Sequence, residues 1–198
     1  MMVYPGQDRA PICFDYREKA PALAKPDMFA KDANWMNHRA VGVPGTVRGM
    51  ELAHKKFGKL PWKDVVMPAV RLAEDGFPLS QSMARSLNFA VAPVDAPAEF
   101  KRVFSKPDGT SWAAGDKLVQ PDLGKTMRRI ADQGADAFYT GESADLLVAE
   151  MKAGDGLITK ADLIAYRAKA REPIHGTYRG YDVYGAPPPS SGGCSTPE

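Results

Sequence analysis

The sequence predicts an α+β chain, mostly helical, with a β-hairpin at each end. Three observations carry that expectation. Apolar residues recur at helical spacing through the middle of the chain, from Thr46 to Tyr166. Short apolar or aromatic runs flank turn signals at residues 1–15 and again at 173–184. Apolar residues make up 44% and charged residues 25% of 198 residues, which is enough for a core without staples and points to neither disorder nor a coiled coil.

Residues 1–4 and 10–15 are separated by Pro5-Gly6-Gln7-Asp8-Arg9, a turn in which proline and glycine are adjacent. In the second arm Ile12 and Phe14 share one face and Cys13 takes the other, so both faces are expected to be covered and the strand to lie inside a larger sheet. Residues 22–41 are irregular, with Pro26, Asp27, Asn34 and Asn37. Gly42-Val43-Pro44-Gly45 then introduces a first helix with Thr46 as its N-cap, Val47, Met50, Ala53, His54 and Phe57 on its stripe, and Gly58 as its stop. A second helix over 61–75 carries Val65, Val66, Ala69, Leu72 and Ala73, with Pro68 expected to kink or restart it. Further helices are expected at 80–89, 98–104, 121–134 and 143–153, Pro121 suiting a first helical position. Thr159 and Asp162 form a capping pair that opens a short helix to Tyr166.

The second hairpin follows, with arms around Arg179-Gly180, and runs into Pro187-Pro188-Pro189-Ser190-Ser191-Gly192-Gly193. Strands are thus expected only at the two ends. Neither hairpin covers its own faces, so the two must share a sheet or pair with strands from elsewhere.

The 26 basic and 24 acidic residues give a formal charge of +2 and interleave along the chain. Lys55-Lys56 and Arg128-Arg129 sit on helical patterns among acids and read as solvated faces, so nucleic acid is not expected as a partner. No apolar run reaches the ~18 residues of a membrane helix, and no secretion signal is legible at the front. The two cysteines, Cys13 and Cys194, show no ligand spacing, and neither do His38, His54 and His175, so no metal or other cofactor is indicated. Asp155-Gly156 resembles the start of a calcium loop, but Lys160 and Tyr166 fall where the geometry needs glycine and glutamate, and it reads as a turn. Ser190-Ser191-Gly192-Gly193 lacks the lysine and strand-helix setting of a phosphate loop and reads as a polyproline segment entering a glycine turn. No G-x-S-x-G elbow occurs.

Arg17 remains. The plain reading is a strand-end arginine neutralised by Asp15 or Glu18 at the surface. The alternative is a guanidinium held by a neighbouring acid at the mouth of a rigid sheet, a two-pronged receptor for a substrate carboxylate.

Five stretches bear on that choice: DYREKAP (15–21), VGVPGTVRGMELAHKKFGKLPW (41–62), PAVRLAEDGFPLS (68–80), GDKLVQPDLGKTMRRIADQGADAFYTG (115–141) and GLITKADLIAYRAKAREPIHGTYRGYDVYGAPPPSSGG (156–193). In order and in content they resemble the large subunit of γ-glutamyltranspeptidases, also called glutathione hydrolases. The resemblance implies the N-terminal nucleophile hydrolase fold, an αββα four-layer arrangement, of which this chain is an incomplete, mostly helical piece. It implies a proenzyme that cuts itself into two subunits. The new N-terminal threonine of the small subunit attacks a γ-glutamyl amide such as glutathione, and its free amine, with a pKa near ~8, serves as base. The γ-glutamyl group then passes to water or to an acceptor amino acid or peptide. In that family the arginine of the DYREKAP motif holds the substrate α-carboxylate, and it matches Arg17 here.

The resemblance further implies residues 1–193 as a partial large-subunit region and 194–198 as a non-matching end. The nucleophile is expected on a small-subunit portion outside this chain. Thr196 has no strand or oxyanion region after it and is not expected to be that nucleophile, so the piece alone is expected to be inactive. Two alternatives stay open: a noncatalytic remnant or binding module of the same fold, and a relative of the cephalosporin acylases that takes glutaryl amides. Unpaired sheet edges and bare apolar strand faces favour aggregation or capture of a partner, whereas a binding module would be a well-behaved monomer. Export to the periplasm or beyond is suggested by the resemblance alone.

Overall fold

The computed structural model describes residues 1–6, 9–30, 37–94 and 96–192. In chain order they form β1 (Met2–Val3), β2 (Ile12–Asp15), a 3-10 turn at His38–Ala40, α1 (Thr46–Phe57), α2 (Trp62–Glu74), β3 (Phe77–Pro78), α3 (Gln81–Val91), α4 (Ala98–Phe104) and β4 (Lys117–Leu118). Then follow α5 (Pro121–Gln133), α6 (Asp136–Tyr139), α7 (Gly141–Ala153), α8 (Lys160–Ala165), β5 (Lys169–Arg171), β6 (Ile174–Tyr178) and β7 (Tyr181–Gly185). The chain divides into two compact units, Met1–Pro61 with Gln133–Glu198, and Trp62–Asp132.

In the first unit β2 is the middle strand of an antiparallel sheet of order β1-β2-β5. Its centre is covered on both faces, with Cys13 at 3% and Phe14 at 1% exposure, as the lack of polar alternation at Ile12-Cys13-Phe14 predicts. The Phe14 ring meets the Phe57 ring of α1 edge-on, with centroids 6.0 Å apart. The second partner of β2 is β5, a three-residue strand just ahead of the second hairpin. The two hairpins therefore lie in separate sheets: among the described residues β6 and β7 pair only with each other, around Arg179-Gly180, both at positive φ as a two-residue hairpin turn requires.

The core of this unit gathers Val43, Tyr139, Ala144, Met151, Ile158, Leu163 and Tyr166 from α6, α7, α8 and the loops beside them. Thr159 caps α8, and its capping box with Asp162 is complete, as the sequence predicts. Thr46 does not cap α1. It is the first helical residue, and Gly45 holds the cap position with no side-chain bond. A side chain at Gly45 would overlap the Tyr166 hydroxyl and the Tyr16 carbonyl, and one at Gly49 would overlap the Tyr16 ring. Close approach to these two tyrosines, rather than capping chemistry, sets the start of α1.

In the second unit α2 runs through Pro68 without a break and buries Val70 and Ala73; of the stripe expected from the sequence Ala73 is buried, whereas Val65 and Leu72 are exposed, so the buried face is turned toward Val70. Ser80 caps α3, its hydroxyl accepting from the Met83 amide at 3.2 Å. Leu79, Ala84, Trp112 and Leu118 form the core. Trp112 is tied by its indole N–H to the Phe104 carbonyl (2.8 Å) and by its backbone to both amide atoms of Asn88. β3 and β4 pair antiparallel at two positions, Phe77 with Leu118 and Pro78 with Lys117, so strands also occur in the interior of the sequence. No helix among the described residues is long and apolar enough to cross a membrane. Cys194, Thr196 and the rest of 194–198 lie outside the described residues, as does Asn34.

Candidate functional site

β2 ends at Asp15, and the next three residues turn over the N-terminus of α1. Burial would push the Asp15 carboxyl up, but an ion pair with Arg171 and the amide of Arg17 outweigh it and hold the group below its ordinary value. Its two oxygens are divided: Oδ1 accepts from the Arg17 amide at 3.2 Å, and Oδ2 accepts from Nη1 of Arg171 at 2.8 Å. The Arg17 carbonyl is taken by the hydroxyl of Tyr166 at 2.8 Å. Arg17 is thus fastened at both its N–H and its C=O, by groups from opposite ends of the chain.

Tyr166 is itself fixed. It is 2% exposed and stacks on Tyr139, with centroids 5.9 Å apart and 11° between planes. The Tyr139 hydroxyl donates to the Pro44 carbonyl at 2.9 Å and accepts from the Arg48 amide at 3.3 Å. Burial, reinforced by Tyr139, Asp15 and Glu18, pushes the Tyr166 hydroxyl up to about 12, so at neutral pH it stays a proton donor to the Arg17 carbonyl.

The side chain of Arg17 behaves differently from its backbone. Its Nη2 donates to Glu18 Oε1 at 3.1 Å, and the side chain remains 58% exposed. Of the two acids flanking it in sequence, Glu18 restrains the guanidinium and Asp15 restrains the peptide. Arg17 lines a cleft of about 320 Å³. Two stretches of chain wall it, Cys13 to Glu18 and the residues Ala186, Pro187, Pro189 and Ser190, and Met1 and Thr46 complete the lining. An arginine and a helix N-terminus on one cleft favour an anionic ligand, and a planar fork favours a carboxylate.

The proline-rich wall is a turn, closed by the Ser190 amide on the Pro187 carbonyl at 3.1 Å, rather than an extended polyproline segment. Arg171 Nη1 also donates to the Pro188 carbonyl, at 2.6 Å, and so ties the end of β2 to the proline turn. The three histidines are held apart from the cleft and from one another: His38 bonds Glu150, His54 bonds the Leu60 carbonyl and His175 bonds Asp182. Asp155-Gly156 is a turn, with Asp155 at φ 56°.

Of the residues that build this site, sequence reasoning singled out Arg17 with its acids and the Ser190 segment. It missed Tyr166 and Arg171, which reach the strand end across 149 and 156 residues of sequence. The only local sign of Tyr166 is an aromatic at the end of a capped helix, and Arg171 carries none.

The sequence pattern of the Gamma-glutamyltranspeptidase family matches residues 1–196. The chain is 42% identical over 195 residues to a glutathione hydrolase proenzyme of Pseudomonas aeruginosa, covering 95% of this chain and 34% of the relative. It is 44% identical over 186 residues to the glutathione hydrolase proenzyme of Escherichia coli, covering 90% of this chain and 32% of the relative. The chain thus spans about a third of the length of these curated relatives. The crystal structure of Helicobacter pylori gamma-glutamyltranspeptidase superposes with a TM-score of 0.90 at 38% identity, over 98% of this chain and 57% of that one.

Proposed function

Because the chain belongs to the gamma-glutamyltranspeptidase family, we propose that it is the carboxylate-reading part of a γ-glutamyltransferase or glutathione hydrolase. In this reading Arg17 grips the α-carboxylate of the γ-glutamyl group, while a small-subunit portion supplies the N-terminal threonine that attacks the γ-amide. The observation that supports it best is the division of labour at Arg17, a cleft-lining residue whose peptide is fastened at both ends while its side chain stays half-exposed. A fixed origin lets the fork meet a carboxylate with two parallel hydrogen bonds while little side-chain freedom is lost.

The γ-amide of a substrate anchored this way projects from the cleft toward whatever element carries the nucleophile. The threonine hydroxyl would form an ester to the γ-carbonyl carbon as the amine leaves with a proton, and water or an acceptor amine would then cleave that ester. This chain's part in both steps is to hold the acyl group still.

The test is Arg17→Lys in the assembled enzyme, this chain together with the nucleophile-bearing portion, assayed on a γ-glutamyl anilide. A lysine keeps the charge and loses the fork. KM is expected to rise by the equivalent of about 2–5 kcal/mol of lost binding, the usual penalty for disrupting a charged hydrogen-bonded pair. An unchanged KM would return Arg17 to a structural role. A glutaryl anilide assayed alongside separates the acylase alternative, since only the γ-glutamyl substrate carries the α-amino group.

A further inference from the structure

We propose that Arg171 is a positioning residue that sets the width of the cleft, acting on a bound carboxylate only through Asp15 and Pro188. The inference rests on the reading of Arg17 as the carboxylate anchor.

A single nitrogen carries the argument. Nη1 of Arg171 donates to Asp15 Oδ2 at 2.8 Å and to the Pro188 carbonyl at 2.6 Å. Asp15 lines the cleft, and Pro188, not itself a lining residue, lies in sequence between Pro187 and Pro189, which do line it. Arg171 is not among the lining residues. Its register explains its reach: in β5 it pairs with Cys13 of β2, and residues directly opposite on an antiparallel pair share a face. Cys13 lines the cleft, so Arg171 enters that same face from the neighbouring strand.

The side chains of the pair are only partly exposed, at 36% for Arg171 and 21% for Asp15. Both bonds are charge-assisted, and the part-buried one to Asp15 is the less screened of the two. The Asp15 carboxylate then transmits the constraint, because its other oxygen holds the Arg17 amide. Without Arg171 the Pro188 carbonyl loses this donor, the proline wall is uncoupled from the strand, and Asp15 is free to turn. Arg17 then presents its fork from a shifted peptide. Misplacing a binding group by ~1 Å can cost up to about a hundredfold, and here the loss falls on substrate binding, because Arg171 lies one residue removed from any ligand.

The experiment compares Arg171→Gln, Arg171→Lys and Arg17→Lys in the assembled enzyme, reading KM and kcat for a γ-glutamyl anilide. Arg171→Gln is expected to raise KM about tenfold with kcat within about twofold. Arg171→Lys is expected between it and the parent, since one shorter ammonium can keep Asp15 and lose Pro188. An unchanged KM in Arg171→Gln, with or without a fall in kcat, overturns the inference while a raised KM in Arg17→Lys leaves the anchor reading standing. An unchanged KM in Arg17→Lys overturns both. If Arg171→Gln does not assemble, Asp15→Asn takes its place: it keeps an acceptor for the Arg17 amide and removes the charge that holds Arg171. A raised KM there supports the inference, and an unchanged one sinks it.

Discussion

Two arginine–carboxylate clusters in this chain use the same chemistry to opposite ends. In the second unit Arg102 makes a two-pronged contact with Glu99, three residues earlier on α4, and reaches Asp122 in the first turn of α5, where Lys125 also binds. Every charge is answered by a neighbour in an exposed patch. At the cleft, Arg171 and Asp15 are 156 residues apart, partly shielded, and spend their remaining hydrogen bonds on backbone groups of two different segments. The first arrangement neutralises itself. The second converts charge into position and leaves Arg17 half exposed beside an open volume. What distinguishes the two clusters is the peptide groups to which the ions at the cleft are fastened.

The sharpest way to break this comparison is to remove the fastening. Tyr166→Ala deletes a buried ring, its stack on Tyr139 and the donor to the Arg17 carbonyl, and is expected to lower the unfolding free energy by about 3–5 kcal/mol, read from denaturant titration of the assembled protein. Tyr166→Phe keeps the ring and isolates the lost hydrogen bond at about 1–3 kcal/mol. If the phenylalanine variant is as stable as the parent, the Arg17 carbonyl is being satisfied in another way.

A finer test uses acid. The folded carboxyl of Asp15 lies below its ordinary value, so its stabilising contribution is fully present above the unfolded value of about 3.9 and is lost as pH falls through the folded one. Unfolding free energy measured from about pH 6 downward should therefore fall more steeply in the parent than in Asp15→Asn. Parallel curves would mean that the carboxylate is no better held in the fold than in the unfolded chain. The smallest effect belongs to the other cluster. Arg102→Gln is expected to leave the unfolding midpoint where it was, and added salt should erase any difference, since exposed helical pairs are screened and cost side-chain freedom to form. A clear loss of stability there would dissolve the contrast between the two regions.

Much of the scaffold was readable because it is local. Thr159 and Asp162 announce the start of α8 through spacing alone, and Arg179-Gly180 announces the second hairpin through the positive φ that such a turn demands. Arg17 was visible because it breaks a buried strand with charge. The misses share a physical cause. β3, β4 and β5 are two or three residues long, too short for alternation to register, and exist because other segments offer them ladders. Thr46 looked like a cap by type, yet the tyrosines above Gly45 decide where α1 begins. Tyr166 and Arg171 act through contacts that no window of sequence spans.

The bare first turn of α1 has a consequence of its own. Because Gly45 and Gly49 lie directly beneath Tyr166 and Tyr16, the helix works as a seat machined to the loop above it, and any added methyl would lift the loop that carries Arg17. A helix that contributes almost no chemistry thereby fixes where Arg17 sits, and mutational scans of this chain should find those two glycines as intolerant of change as the arginine they support.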